Sequence, residues 1–190
     1  MSESFISLQK EVQCCIACPL SQTRKNVVFG MGVETAEVLF IGEAPGAQED
    51  DQGLPFVGRS GQLLDKLLSC IDLYRDKNIY IANIIKCRPP ENRDPLPEEQ
   101  SACAKHLARQ IEYINPKIIV CVGRIAAKRF IGEDFKVTTE HGKWFEQNGR
   151  LVMGTFHPAA LLRNPNLKPV AFDDCLLLRD KINEICTHTY

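Results

Sequence analysis

Four cysteines are spaced to share one metal centre. Cys15-Ile16-Ala17-Cys18 is a CxxC pair, and the tight turn of such a pair brings both sulfurs to the same side. Cys87 follows an apolar run and Cys103 stands 16 positions further on (103 − 87) within a helical pattern, so two distant halves of the chain can complete a four-thiolate site. Four thiolates suit structural zinc or an iron–sulfur cluster, and spacing alone leaves both open. Nine cysteines, an odd number, behind an opening with no secretory character argue against a disulfide framework. Cys70, Cys121, Cys175 and Cys186 sit among apolar residues and read most simply as buried core thiols, and Cys14 is open to the same reading.

Two long loops and a histidine form the second group. Gly42-Glu43-Ala44-Pro45-Gly46-Ala47-Gln48-Glu49-Asp50 runs on into Gly53-Leu54-Pro55-Phe56-Val57-Gly58-Arg59-Ser60-Gly61. Glycines at this density let backbone approach a ligand, and Phe56, inside a turn where core packing does not easily explain it, is free to stack on a flat ring. A nucleotide-binding loop or a plain tight turn is the alternative, but neither G-x-G-x-x-G nor G-x-x-x-x-G-K-[ST] is present. The other loop, 87–97, holds four prolines among eleven residues. His157 ends a further apolar run and precedes Pro158-Ala159-Ala160-Leu161-Leu162-Arg163, in a stretch (151–172) with Arg163 and Lys168 and no acid. A lone histidine is more often structural than catalytic, yet this one stands where strand ends place ligands, before an apolar tip able to enter a base stack.

The elements that must position these residues alternate. Apolar, β-branched segments at 37–42, 78–83, 116–123 and 151–155 read as strands buried on both faces, with helical patterns at 61–71, 97–114, 124–130 and 172–185 between and after them. Strand alternating with helix predicts α/β layers around a small parallel sheet, with the active site at the strands' carboxyl ends, where the loops 44–58 and 87–97 and His157 all fall. At 190 residues, 44% hydrophobic and 25% charged, the chain predicts one domain with one core. It has no long uncharged apolar run, and the opening MSESFISLQKEVQ is not of signal-peptide type, so a cytoplasmic protein is expected. A formal net charge of −1 gives no global pull on nucleic acid, and any DNA contact must be local.

Taken in order, GEAPG…ED…G-x-PFVG-x-x-G, Asn83-Ile-Ile-Lys-Cys-Arg-Pro-Pro-Glu-Asn92, the cysteine set and His157-Pro-Ala-x-Leu-Leu closely resemble the family 4 uracil-DNA glycosylases across residues 15 to 165. The resemblance implies a three-layer α/β/α sandwich about a central, mainly parallel four-stranded sheet. It also implies a four-iron, four-sulfur (4Fe-4S) cluster, structural rather than catalytic, on Cys15, Cys18, Cys87 and Cys103. The implied reaction is monofunctional hydrolysis of the N-glycosidic bond of uracil in single- and double-stranded DNA, leaving an abasic site and free uracil.

Carried over by motif, Phe56 stacks on the flipped uracil, Asn83 bonds its Watson–Crick edge, and main chain at Glu43 and Ala44 lines the pocket. Glu49 excludes the thymine methyl, held by Asn92. Only steric closure rejects a methyl, whereas mismatched donors and acceptors refuse cytosine. His157, as a neutral donor to uracil O2, stabilises the leaving anion; loss of such a donor typically costs roughly 2.7–4 kcal/mol of barrier. The motif has a glutamate where relatives carry a water-activating aspartate, which makes Glu43 the expected orienter of water. Leu161 and Leu162 fill the space the base leaves, Lys86, Arg88, Arg93 and Arg163 meet phosphates, and Asp50 and Asp51 point away or are solvated. The expected partner is uracil-containing DNA, with a sliding clamp or other repair proteins beyond it, and the chain is expected to be monomeric and away from membranes.

A covalently linking relative would carry a histidine in a basic insertion after the asparagine strand, and 86–93 has none. A binding module that keeps the cysteines without the chemistry, and a zinc-stabilised hydrolase of other substrates, are the rivals from other classes.

Overall fold

The computed structural model describes residues 4–190; the opening read above for targeting signals lies partly outside them. In chain order the elements are α1 (Phe5–Gln13), β1 (Met31–Gly32), β2 (Val38–Gly42), α2 (Ala47–Gln52), α3 (Arg59–Ser69), β3 (Ile79–Asn83), α4 (Pro97–Ile114), β4 (Ile118–Val122), α5 (Arg124–Phe130), α6 (Val137–Glu140), β5 (Trp144–Gln147), β6 (Arg150–Thr155), α7 (Pro158–Arg163) and α8 (Lys168–Ile185). One sheet runs in the order β1-β3-β2-β4-β6-β5.

The sheet has six strands, not the expected four. Its interior, β3-β2-β4-β6, is the parallel set that the apolar runs predict, and β1 and β5 pair antiparallel at the edges. The edge strands escape a reading for buried runs because β1 is two residues long and β5 is half-exposed, so neither shows a continuous apolar segment.

Alternating side chains of the parallel strands serve two cores, which makes the three layers. Leu39, Ile41, Ile119, Cys121 and Val152 pack with Phe5, Leu8 and Val12 of α1, Leu107 of α4 and Ala126 of α5. Phe40, Ile81, Val120 and Met153 face the other way, onto Leu64 and Leu68 of α3 and Leu178 and Ile182 of α8. Pairing aligns Gly42 with Asn83 and Val122 with Thr155, so the carboxyl ends of the parallel strands form one edge.

Helices α4 and α5 have the predicted bounds. Helix α8 begins at Lys168, four residues before the predicted start, because Pro169 in its first turn lacks only an N–H that the turn does not need. Helix α2, Ala-Gln-Glu-Asp-Asp-Gln, carries no apolar periodicity by which to predict it. Cys121 is buried and Cys175 and Cys186 are half-buried, but Cys70 and Cys14 are exposed, against the core reading. Both cap the carboxyl ends of their helices, past the last inward-facing turn.

Candidate active site

Loops from four strand ends enclose a cavity of about 600 Å³, within the range of small-molecule sites. Glu43, Ala44, Glu49, Phe56, Asn83, Asn92, Arg93, His157 and Arg163 line it, which brings together the residues expected to read and cleave. Asn83, last residue of β3, is 2% exposed, and its Oδ1 has no hydrogen-bond partner. Gly42 is required beside it, because a Cβ there would run into Asn83 Oδ1 and the Phe56 ring.

Phe56 is buried and holds a left-handed φ of 52°, a conformation that costs a non-glycine residue roughly 1–2 kcal/mol. Two clamps hold it. Arg75 Nη1 donates to Pro55 O (2.8 Å) and Nη2 to Phe56 O (3.1 Å), with Asp65 orienting the guanidinium at 2.6 Å. On the other side Glu49 Oε1 accepts from the N–H groups of Val57 and Gly58, both at 2.9 Å. Asn92 does not hold Glu49: it is exposed, and its Oδ1 accepts from Arg88 Nε at 2.8 Å.

His157 caps α7. The Ala159 N–H donates to Nδ1 at 3.2 Å, so Nδ1 is the acceptor and the ring proton of the neutral form sits on Nε2. Burial, with the positive charge of Arg163, lowers its pKa to about 4, Glu49 opposing. The imidazole is therefore a neutral donor across the physiological range. Its ring lies 5.8 Å from that of Phe56 at an interplanar angle of 32°. A Cβ on Gly123, whose φ is +96°, would come within 2.9 Å of His157 Cβ, so the end of β4 must be glycine for the histidine to seat. Behind the loop, Asp174 of α8 accepts from Thr155 Oγ1 (2.6 Å) and pairs with His141 (2.8 Å), pinning the strand that delivers His157.

Glu43 follows β2. Burial pushes its carboxyl up to about 7, Asp94 adding to the rise and Arg124 opposing it. Asp94 and Arg124, paired at 2.6 Å on the rim, were missed by sequence reasoning, as was Arg75. The strand-end rule applied to β4 as well would have found Gly123 and Arg124; Arg75, in an exposed-looking turn, gives no signal.

Two expectations for the DNA face are corrected. Lys86 is 1% exposed and cannot meet a phosphate, because the segment after β3 stays inside, paired through Ile84, Ile85 and Lys86 to Gly42, Glu43 and Val28. Leu161 is fully buried, and only Leu162 (37% exposed) faces out, since adjacent positions on a helix point about 100° apart. Asp50 turns inward, where it is buried and accepts from the backbone N–H groups of Lys25 (3.0 Å) and Asn26 (3.3 Å), while exposed Asp51 pairs with Lys25. Arg163 is exposed, Arg88 half-buried, and Arg93 is engaged by Glu99 at 2.6 Å.

Cys15 and Cys18 after α1, Cys87 after β3 and Cys103 on α4 line one small cavity with Arg24, Lys86 and His106. Arg24 Nη1 donates to Cys87 Sγ at 3.2 Å, and His106 Nε2 lies 3.2 Å from Cys15 Sγ. Burial pushes the Cys103 thiol up to about 11, so only a bound cation would keep it a thiolate near neutrality. Among the described residues no group of three His, Cys, Asp or Glu side chains forms a single-ion site. Nor is any helix of the described residues long and apolar enough to cross a membrane.

Residues 29–177 match the model of the uracil DNA glycosylase superfamily. The chain is 43% identical over 192 residues to the type-4 uracil-DNA glycosylase of Archaeoglobus fulgidus, covering 97% of this chain and 94% of that one. It is 44% identical over 173 residues to the type-4 uracil-DNA glycosylase of Thermotoga maritima, covering 88% of each. The chain belongs to the uracil DNA glycosylase superfamily, and within it to the type-4 branch.

Proposed function

We propose that the chain excises uracil from single- and double-stranded DNA by hydrolysing its N-glycosidic bond, leaving an abasic site and free uracil. The observation that carries this reading is the buried, unpartnered Asn83 Oδ1 in the wall of a cavity, roomy enough for a nucleobase, that Phe56 and His157 also line. Uracil N3–H is the donor that acceptor lacks, and uracil O4 takes the amide N–H. Cytosine offers the reverse pattern at both positions and leaves buried groups unpaired.

The base leaves the helix at a cost of a few kcal/mol, and exposed Leu162 fills part of the gap. Phe56 receives its face, and the Glu49-held turn closes against a methyl at C5. As the glycosidic bond stretches, charge develops on uracil O2, where the His157 Nε2–H donates without having to lose a charge of its own. Glu43, ionised above about 7, orients the water and accepts its proton when the sugar is attacked. Arg163 and Arg93 of the cavity wall, and Arg88 beside Asn92, serve as phosphate contacts.

Cys15, Cys18, Cys87 and Cys103 fit a four-iron, four-sulfur cluster: all four line one cavity, with Arg24 donating to Cys87 Sγ and the His106 ring beside Cys15 Sγ. Bound, the cluster supplies a covalent staple joining the segment after α1 to α4 and the loop after β3. The reading is of a monomer on uracil-containing DNA in the cytoplasm, with a sliding clamp or another repair protein as further partner.

Free-uracil release from single-stranded, U:A and U:G oligonucleotides tests the proposal, with thymine-containing DNA as control. Binding without release would replace it with a non-catalytic module. Iron content with absorbance around 400 nm, an approximate position for such a chromophore, against colourless zinc, tests the cluster.

A further inference from the structure

Lys86 is the most deeply buried lysine or arginine of the described residues and stands between the two sites. Its side chain turns back three residues, and Nζ donates to the main-chain oxygen of Asn83 at 2.9 Å. That oxygen belongs to the last residue of β3, beside which the Asn83 amide enters the cavity lining. The same lysine lines the cysteine cavity together with Cys103, and the next residue is Cys87. No carboxylate of the described residues pairs with the ammonium; Cys87 and Cys103 are the ionisable groups beside it. An ammonium is not left in a protein interior without negative charge beside it. Four thiolates around a metal centre carry more negative charge than the centre offsets, and they line the cavity that Lys86 also lines.

We propose that Lys86 is a positioning residue that ties the cysteine centre to uracil recognition, by holding the Asn83 main chain so that its side-chain amide meets the base squarely. The proposal rests on the reading of Cys15, Cys18, Cys87 and Cys103 as a loaded metal site and of Asn83 as the uracil reader. It gives a centre with no part in the chemistry one route to the base pocket, since Lys86 lines the cysteine cavity and bonds Asn83, which lines the other. A misplacement of about 1 Å in a recognition group costs on the order of a hundredfold in rate, so one hydrogen bond behind Asn83 is enough to matter.

The test uses the full chain purified with its metal, comparing wild type, Lys86→Met, Asn83→Ala and the double variant. Iron per chain, affinity for an undamaged oligonucleotide and single-turnover uracil release are measured for each. The expected result is that Lys86→Met keeps its iron and its affinity for undamaged DNA, while release slows by about ten- to a hundredfold. In the Asn83→Ala background the same change adds less than about twofold, because the residue it acts through is gone.

Wild-type release from an iron-replete Lys86→Met protein overturns the proposal, and so do losses that multiply in the double variant. Should Lys86→Met lose its iron, Lys86→Gln, which keeps a donor without the charge, takes its place. Loss of iron from both would make Lys86 a determinant of metal retention alone and overturn the positioning role. A wild-type chain without iron, or without uracil release, refutes instead the readings on which the proposal stands.

Discussion

Strand β2 has a glutamate just beyond each end, Glu37 buried and Glu43 half-buried, and the fold tunes the two in opposite directions. Glu37, before the strand, is 4% exposed and accepts from the backbone N–H groups of Thr187 and His188 at 2.9 Å, from Thr189 Oγ1 at 2.9 Å and from Lys117 Nζ at 2.8 Å. Burial opposes its ionisation, but Lys117 and those N–H and O–H donors outweigh it and hold the carboxyl well below the usual range. Glu43, after the strand, has no donor among the described residues, and burial carries it up to about 7. Burial alone does not decide what a carboxyl becomes; the donors that the fold supplies or withholds do. One end of the strand is a lock on residues 187–189, and the other keeps a group able to exchange a proton near neutrality.

The comparison breaks most visibly if function and stability fail to separate between the two ends. At the cavity end, His157→Ala is expected to slow single-turnover uracil release by about 10²–10³-fold while thermal unfolding stays nearly unchanged. At the other end, Glu37→Gln is expected to cost on the order of 3 kcal/mol, lowering the melting temperature by about 6–12 °C, with release per folded molecule unchanged. The Glu37 contribution is full above its unfolded pKa, ordinarily about 4.3, and is lost as pH falls through the lower folded value. Acid unfolding followed by circular dichroism should therefore be less pH-dependent in Glu37→Gln than in wild type.

Glu43→Gln sharpens the contrast from the opposite sign. Release should fall by about a hundredfold, and the acid limb of the wild-type rate profile, expected near 7, should disappear. Because the folded pKa is raised, ionising Glu43 weakens the fold as pH rises through the interval up to 7, so at pH 8 in urea this variant should be the more stable. The smallest effect is expected from Arg75→Ala, which removes both donors behind the left-handed Phe56 backbone. A loss of about 1 kcal/mol of stability with a rise in KM larger than the fall in kcat would show that the clamp shapes the ring platform.

The layer order was legible because the interior strands are buried on both faces and read as unbroken apolar runs, and because α4 and α5 carry a clean start and stop. Glu43, Phe56, Asn83 and His157 were legible because each stands at or just past a strand end or inside a glycine-rich turn, and the motif order through which they were read spans most of the chain. Lys86 and Leu161 were misread for one reason: their types say surface wedge or phosphate contact, and their burial depends on neighbours supplied by distant segments. Arg75 was invisible, since nothing near it in sequence shows that it reaches the Phe56 loop.

Residue type and local period determined, without coordinates, the alternation of elements, the parallel heart of the sheet and the set of groups able to do chemistry at its edge. Only the tertiary structure decided which of those groups are donors, acceptors or neutral. The tautomer of His157, the proton held by Glu43, the empty acceptor on Asn83 and the inward turn of Lys86 are set by atoms brought close from other parts of the chain. Hydrogen bonding and desolvation act over a few ångströms of space, whatever the distance along the sequence.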